Sequence, residues 1–290
     1  MSFRSSSKRS SKSRKDNRML KIKSYVKVKS VAEAYELNQK KTACVLGGMV
    51  WLKMGNRNVS TAIDLSGLGL DTIRETEEEF VIGCMTSLHD LEVHEGLAAY
   101  TKGAVKESLR HIVGVQFRNC ATVGGSIFGR YGFSDVLTLF LALDSYVELY
   151  QGGRIPMAQF AGMPKDRDIL VNIIVKKTPL VCTYLSQRNT KTDFPVLTCA
   201  ASLSSEEVRT VIGARPGRAV IIEDKEGILK DFKDMTKKKR QAAAENFAEY
   251  AAEHVTVGSN MRGSAEYRKL LTRVLTRRAW ETLGGRTNEN

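Results

Sequence analysis

Several features that would assign a function at once are scarce or absent in this sequence of 290 residues. No apolar run reaches the roughly 18 residues of a membrane-spanning helix, and no apolar stretch follows the N-terminal charges as it would in a secretory signal. The five cysteines include no CxxC pair, and the four histidines stand alone. We therefore expect a cytoplasmic protein with buried free thiols and no zinc or iron–sulfur site of its own.

The two commonest phosphate-binding motifs are also missing. Neither GxGxxG leading into a helix nor a loop ending in GK[ST] occurs, and we find no convincing pair of catalytic acid and base. A hydrophobic content of 42 % is nevertheless enough for a buried core. The length predicts two or three domains.

Positive charge is concentrated at the N-terminus. The net charge is +13, and residues 1–18 alone hold seven Lys or Arg and one Asp. We expect this basic tail to be disordered, because it offers almost nothing to bury. It is capable of binding nucleic acid, but the remaining charge is spread along the chain, so this function is the less favoured alternative. A folded segment opens at Met19, a possible natural start.

Periodicity predicts three units, at 19–75, 76–178 and 179–290. The first contains a strand, a helix capped by Ser30 and two further strands, at 20–28, 30–40, 42–48 and 61–65. The second contains strands and helices, at 80–85, 98–115, 136–143, 146–150 and 168–175. The third begins as alternating strands and ends in two helices, at 235–253 and 263–283.

Two pairs of glycines stand out, in LGGMVWL from Leu46 and in TVGGSI from Thr122. We predict that both pairs form turns, where the missing Cβ atoms allow a ligand to approach the main chain and its N–H groups. Two such turns suit a diphosphate better than a monophosphate. A Gly-Gly pair is more often a simple turn, so the residues alone leave this open.

The segment RNCATVGGSIFGRYGFSDVLTLFLALDSYVEL, residues 118–149, resembles a motif of the FAD-binding subunits of molybdenum hydroxylases, the family of xanthine dehydrogenase and carbon monoxide dehydrogenase. Its pattern is RN-x-x-T-[IV]-GG-[SN]-[IL], then S-D, then LALDA-x-V-x-L. LGG at 46–48 and AIDLSGL at 62–68 also match. The resemblance covers about residues 20–290. It implies an α+β fold: a PCMH-type FAD-binding domain of two subdomains at 19–75 and 76–178, then a C-terminal flavoprotein domain of sheet and helices at 179–290.

The resemblance also implies which residues contact FAD. On one side these are Leu46, Gly47, Gly48, Met49, Val50 and Trp51. On the other side they are Thr122, Gly124, Gly125, Ser126, Asp135 and Leu170. Hydroxyl groups at 122 and 126 suit phosphate or ribityl oxygens, and the Asp135 carboxylate suits sugar hydroxyls. Without a ligand, Asp135 would simply belong to a helix N-terminus.

The sequence departs from the family pattern at several positions. Met49-Val50 replaces a Thr/Ser-Asp pair, and residues 128–133 replace the usual Ala-Asn-Ala-Ser-Pro loop. In that loop, Arg130 is a candidate partner for the pyrophosphate, and Tyr131 and Phe133 are candidates for stacking on a ring. A family lysine before the S-x-R motif falls at about Tyr184 or Leu185.

The resemblance implies an electron-transfer subunit without hydroxylase chemistry of its own. Electrons would pass from two [2Fe–2S] clusters in a small partner subunit through FAD to NAD or another acceptor, while a molybdopterin-binding large subunit selects the substrate. One alternative is a degenerate, structural subunit with weak or no FAD. Another is an oxidase with covalently attached flavin, for which no attachment motif is evident.

Overall fold

The computed structural model describes residues 19–205 and 207–286. The predicted basic tail at 1–18 lies outside the described residues. The first sheet is built from β1 (Lys21–Lys27), α1 (Val31–Asn38), β2 (Ala43–Leu46) and β3 (Asn58–Asp64), with strand order β1-β3-β2 and parallel pairing. The predicted cap of α1 is confirmed: Ser30 accepts a hydrogen bond from the Glu33 N–H at 3.1 Å.

The second part of the chain forms a five-stranded antiparallel sheet and seven short helices. The sheet order is β4-β5-β8-β6-β7. In chain order the elements are β4 (Ile73–Glu75), β5 (Glu79–Gly83), α2 (Leu88–Val93), α3 (Glu95–Tyr100), α4 (Ala104–Leu109), α5 (Val115–Cys120), α6 (Val123–Phe128), α7 (Asp135–Ala142), β6 (Ser145–Leu149), β7 (Gly153–Pro156), α8 (Met157–Gly162) and β8 (Leu170–Lys176).

Two predictions for this part were wrong. The single helix expected over 98–115 is broken into α3 and α4, because Gly103 adopts a left-handed φ of 83° between them. The second glycine pair lies in α6 and not in a turn, with Thr122 as its N-cap. The predicted helix at 136–143 is confirmed as α7, which is buried along its whole length.

The third part contains β9 (Leu180–Arg188), β10 (Pro195–Ser204), β11 (Val208–Gly213), β12 (Val220–Ile222), α9 (Lys237–His254) and α10 (Ala265–Arg286). The strands form an antiparallel sheet in the order β12-β11-β10-β9. Helix α10 packs on β10, with Trp280 fully buried. Helix α7 also packs on β10, and the Thr138 and Thr198 hydroxyls meet at 3.1 Å. One hydrophobic core therefore continues from the first sheet to the third.

Candidate cofactor-binding cleft

A cleft of about 650 Å³ opens where the three parts of the chain meet. Its walls include Leu46 from the first sheet, Leu170 from the second and Phe194 from the loop between β9 and β10. This volume is in the range of small-molecule sites, about 300–1,000 Å³. Most of the predicted contact residues meet here: Leu46, Gly47, Trp51, Thr122, Gly124, Gly125, Ser126, Asp135 and Leu170.

Three predicted contact residues, Gly48, Met49 and Val50, are not among the residues that line the cleft. Met49 has a left-handed φ of 57° and packs on the small core around Leu46 and Val59. Val50 packs on the large core. The two residues that depart from the family pattern therefore have packing contacts of their own.

The second glycine pair enters the cleft as the first turn of α6. Thr122 caps this helix, accepting the Gly125 N–H at 3.1 Å, and keeps its own hydroxyl proton to donate. The Gly124 N–H donates to the Cys84 carbonyl at 2.8 Å. A Cβ atom at position 124 would lie only 2.5 Å from the same carbonyl oxygen. The glycine at 124 is thus required by its approach to Cys84. The Ser126 hydroxyl donates to the Thr122 carbonyl at 3.1 Å.

Asp135 is the first residue of α7, after the N-cap Ser134, and is 5 % exposed. Its Oδ1 accepts two hydrogen bonds, from the Tyr184 hydroxyl at 2.5 Å and from Arg188 Nη2, which makes an ion pair. Oδ2 takes part in neither contact. Burial raises the pKa of Asp135 to about 6, opposed by Arg188 and Tyr184.

Arg188 and His111 also line the cleft, although the sequence did not single them out as site residues. Arg188 Nη1 donates to the Asp193 carbonyl at 2.6 Å, while Nε is buried and has no hydrogen-bond partner within 19–205 and 207–286. Nδ1 of His111 is likewise buried and finds no partner in that part of the chain. Burial lowers the pKa of His111, and Arg110 and Arg188 lower it further. The available signal was the S-x-R motif at 186–188, which sequence reasoning used only to place a family lysine.

Aromatic rings gather along the cleft. The centre of the Trp51 ring lies 5.5 Å from that of Phe133 and 5.4 Å from that of Phe194, and the Phe133 and Phe194 ring centres are 4.5 Å apart. Tyr131 stacks on Phe133 at 5.2 Å with nearly parallel rings. The two loop aromatics proposed for ring stacking therefore stack on each other. Trp51 and Phe194 come from the first and third predicted units, so their contact joins these units across the cleft.

The candidate cation Arg130 is not among the cleft-lining residues. Its guanidinium lies 3.9 Å from the centre of the Phe160 ring, and its Nε donates to the Phe160 carbonyl at 3.0 Å. Arg130 thus holds the 128–133 loop onto α8. Other cations do line the cleft, among them Lys165 and Arg167.

Comparison with known proteins decides the family. Residues 18–178 match the family described as "FAD binding domain in molybdopterin dehydrogenase", and residues 183–283 match the "CO dehydrogenase flavoprotein C-terminal domain". The chain belongs to this family. The predicted FAD-binding domain, the fold class and the class of oxidoreductase subunit are confirmed at this level.

Individual relatives have low sequence identity to this chain. The chain is 24 % identical to "Uncharacterized protein YgfM" of Escherichia coli K12, over 88 % of this chain and 93 % of that protein. It is 27 % identical to the nicotine 6-hydroxylase medium subunit of Paenarthrobacter nicotinovorans, over 79 % and 83 % of the two chains.

Solved structures support the fold. A chain of carbon monoxide dehydrogenase from Hydrogenophaga pseudoflava superposes with a TM-score of 0.78 at 23 % identity, covering 92 % of this chain and 98 % of that one. A chain of quinoline 2-oxidoreductase from Pseudomonas putida 86 gives a TM-score of 0.78 at 19 % identity, covering 91 % and 97 %.

None of the helices within residues 19–205 and 207–286 combines the length and apolar character that crossing a membrane requires. In the same residues, no three His, Cys, Asp or Glu side chains are grouped so as to hold a metal ion.

Proposed function

We propose that this chain binds FAD in the cleft and serves as the electron-transfer subunit of a molybdenum-containing hydroxylase or dehydrogenase. The observation that supports this best is the convergence of both glycine motifs on one cleft in a chain of the FAD-binding family. The residues fit such a cofactor. Gly47, Gly124 and Gly125 line the cleft, and the Thr122 hydroxyl proton is available to an oxygen acceptor.

The residues proposed to hold FAD are those predicted residues that line the cleft. Thr122, Gly125 and Ser126 would contact its phosphate or ribityl oxygens, and Leu170 would pack on an apolar part. Asp135 would accept from a sugar hydroxyl through Oδ2, since Oδ1 already accepts two hydrogen bonds. Flavin, when bound, accepts and releases electrons, and the chain supplies its placement and its electrostatic surroundings.

The wider assignment rests on the family. We propose a small subunit with two [2Fe–2S] clusters as electron donor, NAD or another acceptor as the outlet, and a molybdopterin-binding large subunit as the site of substrate oxidation. A cytoplasmic complex is consistent with the five free cysteines. Bleaching of bound flavin by NADH would support NAD as the physiological partner, and an unchanged spectrum would favour another acceptor.

A structural subunit without FAD is the competing function. It is favoured by the packing of Met49 and Val50 into cores, away from the cleft. The deciding measurement is the visible spectrum of the purified chain, before and after incubation with FAD. Flavin bands that are released on heating support the electron-transfer function. A colourless chain that takes up no FAD supports the structural one.

The proposed location of FAD can be tested by placing a negative charge in the cleft. Ser126→Asp puts an anion beside the proposed phosphate site, and Ser126→Asn has the same shape without the charge. Position 126 is in the first turns of α6, where an acidic side chain does not oppose the helix. We expect Ser126→Asp to lower FAD affinity at least tenfold more than Ser126→Asn. Equal affinities would place FAD elsewhere.

A further inference from the structure

Two of the three donor nitrogens of the Arg188 side chain have hydrogen-bond acceptors among the described residues. The side chain is 7 % exposed, and its two terminal nitrogens donate to Asp135 Oδ1 and to the Asp193 carbonyl. Its remaining donor, Nε, is buried and has no acceptor among the described residues. Buried donors are nearly always paired, so an orphaned one in a cleft-lining side chain points to an absent acceptor.

Two neighbours fix the orientation of Arg188. The carboxylate of Asp135 accepts from Arg188 and from Tyr184 at the same oxygen. Tyr184 is 1 % exposed, so its hydroxyl is anchored in the core. This arrangement fixes the guanidinium plane, and with it the direction of the Nε–H. Asp135 and Tyr184 are therefore positioning residues for Arg188.

Among the described residues Arg57, Lys165 and Arg167 also line the cleft, but Arg188 is the cleft-lining cation that is ion-paired with Asp135. His111 lines the same cleft, and its burial together with Arg110 and Arg188 disfavours its charged form. Arg262 lies behind, over the Phe194 ring at 4.8 Å, and is paired with the Asp193 carboxylate at 3.0 Å. It is not among the cleft-lining residues.

We propose that Arg188 is a cofactor-contacting residue that donates its Nε–H to the bound flavin and favours the reduced form. This inference rests on the proposed function and adds a tuning role for a residue that neither glycine motif contains. Reduction adds negative charge to a flavin, and a fixed cation in the cleft wall stabilises that charge more than it stabilises the neutral oxidised ring.

The test compares the affinities of the full-length chain for oxidised and reduced FAD, together with the midpoint potential of the bound flavin. Arg188→Gln should weaken binding of reduced FAD about tenfold more than binding of oxidised FAD, which lowers the potential by about 30 mV for a two-electron couple. Arg188→Lys keeps the charge and should recover part of this difference. Arg262→Gln, the matched control outside the cleft, should leave the ratio of affinities near the wild-type value.

A second variant tests the proposal independently of whether Arg188→Gln folds. Asp135→Asn removes the negative charge beside Arg188 and should move the potential in the opposite direction, to a more positive value. Potentials that are unchanged in Arg188→Gln, or that shift equally in Arg262→Gln, would overturn the role of Arg188 while leaving FAD binding intact. A wild-type chain that binds no FAD would overturn the proposed function itself, and this inference with it.

Discussion

Gly48 lies directly against the carbonyl group of Cys120, so that a Cβ atom at position 48 would be 1.5 Å from its oxygen and 2.4 Å from its carbon. The neighbouring Gly47 faces the Thr122 hydroxyl in the same way, at 2.7 Å. The first glycine pair is therefore packed against the residues that precede the second pair. Gly47 and Gly48 are therefore required by this packing, and Gly47 is also part of the cleft wall.

This contact predicts a large effect of a single methyl group. Gly48→Ala should lower the free energy of unfolding by about 3 kcal/mol, because backbone must move to relieve the overlap. Gly285→Ala is the control, since a Cβ there meets nothing within 4 Å and should leave the stability nearly unchanged. Urea denaturation of both variants measures the difference. Equal stabilities would contradict the packing described.

A buried ion pair predicts a second loss of stability. Arg118 Nε donates to Glu92 Oε2 at 2.7 Å, with side chains 7 % and 8 % exposed. Arg118 also donates to the Ile112 carbonyl at 3.2 Å, next to cleft-lining residues. Removing either partner leaves a buried charge and should cost about 3–5 kcal/mol.

A double-mutant cycle measures this pair. Glu92→Gln and Arg118→Gln should show strong coupling in urea denaturation, so that the second change costs far less than the first. Glu249 and Arg273, which are 52 % and 46 % exposed, form the control pair. Their coupling should not exceed about 1 kcal/mol. Similar coupling in the two pairs would show that the Glu92–Arg118 pair is solvated.

The fold was largely predictable from the sequence because its strands and the helix α7 have strong local patterns. The structure of the glycine motif was not. VGGSI has poor helix propensity, and α6 forms because Thr122 caps it and Cys84 accepts the Gly124 N–H. The second of these contacts is made by a residue 40 positions away along the chain, which local pattern reasoning does not reach.

The candidate site was predicted in part, through the family motif. Arg188 was missed because what distinguishes it is a contact with Asp135, 53 residues away. No periodicity links the end of β9 to the start of α7. The pairing follows from α7 packing under the third sheet, a tertiary relationship. The motif therefore located the carboxylate but could not identify its partners.

The burial of Asp135 predicts a pH dependence of stability. In the folded chain the pKa of the Asp135 carboxyl is about 6, against an ordinary value of 3.8. Between these two pH values the folded state therefore binds more protons than the unfolded state. The stabilising effect is complete below about pH 3.8 and is lost as the pH rises through 6. The loss is about 3 kcal/mol. His111, whose pKa is lowered, acts in the opposite direction as the pH approaches its ordinary value of 6.5.

The difference between wild type and Asp135→Asn isolates this effect, since His111 is present in both. Free energies of unfolding measured from pH 4 to pH 7 should fall relative to the variant as the pH rises. Curves that stay parallel over this interval would show that the Asp135 carboxyl titrates normally.

The contact between Trp51 and Phe194 predicts coupling across the cleft. The ring centres lie 5.4 Å apart, although the two residues are far apart along the chain. Aromatic pairs are worth about 0.5–1.5 kcal/mol beyond their area. A cycle of Trp51→Leu and Phe194→Leu should give coupling of about 1 kcal/mol in urea denaturation. Phe194 against Trp280→Phe is the control pair, because Trp280 is buried in a separate core, and additive effects are expected there.

Arg167, which also lines the cleft, connects the first sheet region to the second. Its guanidinium donates to the carbonyls of Asn38, Lys40 and Lys41 at 2.8–2.9 Å, and its own carbonyl accepts from the Asn38 amide at 2.8 Å. These bonds pin the end of α1 to the segment before β8. Without the Arg167 guanidinium, each of these three carbonyls would lose a charge-assisted hydrogen bond.

Arg167→Ala should therefore loosen the two halves of the cleft more than it unfolds the chain. We expect faster amide exchange at residues 39–44 and FAD affinity lowered at least tenfold. Arg167→Lys should not restore either, because an ammonium group lacks the planar fork that reaches three carbonyls at once. The control is Arg154→Ala, which removes a bidentate pair with Glu79 in the second sheet; neither residue lines the cleft. If both alanine variants leave exchange at 39–44 unchanged, Arg167 does not hold the cleft together, and the packing of Gly48 on Cys120 remains as the contact that does.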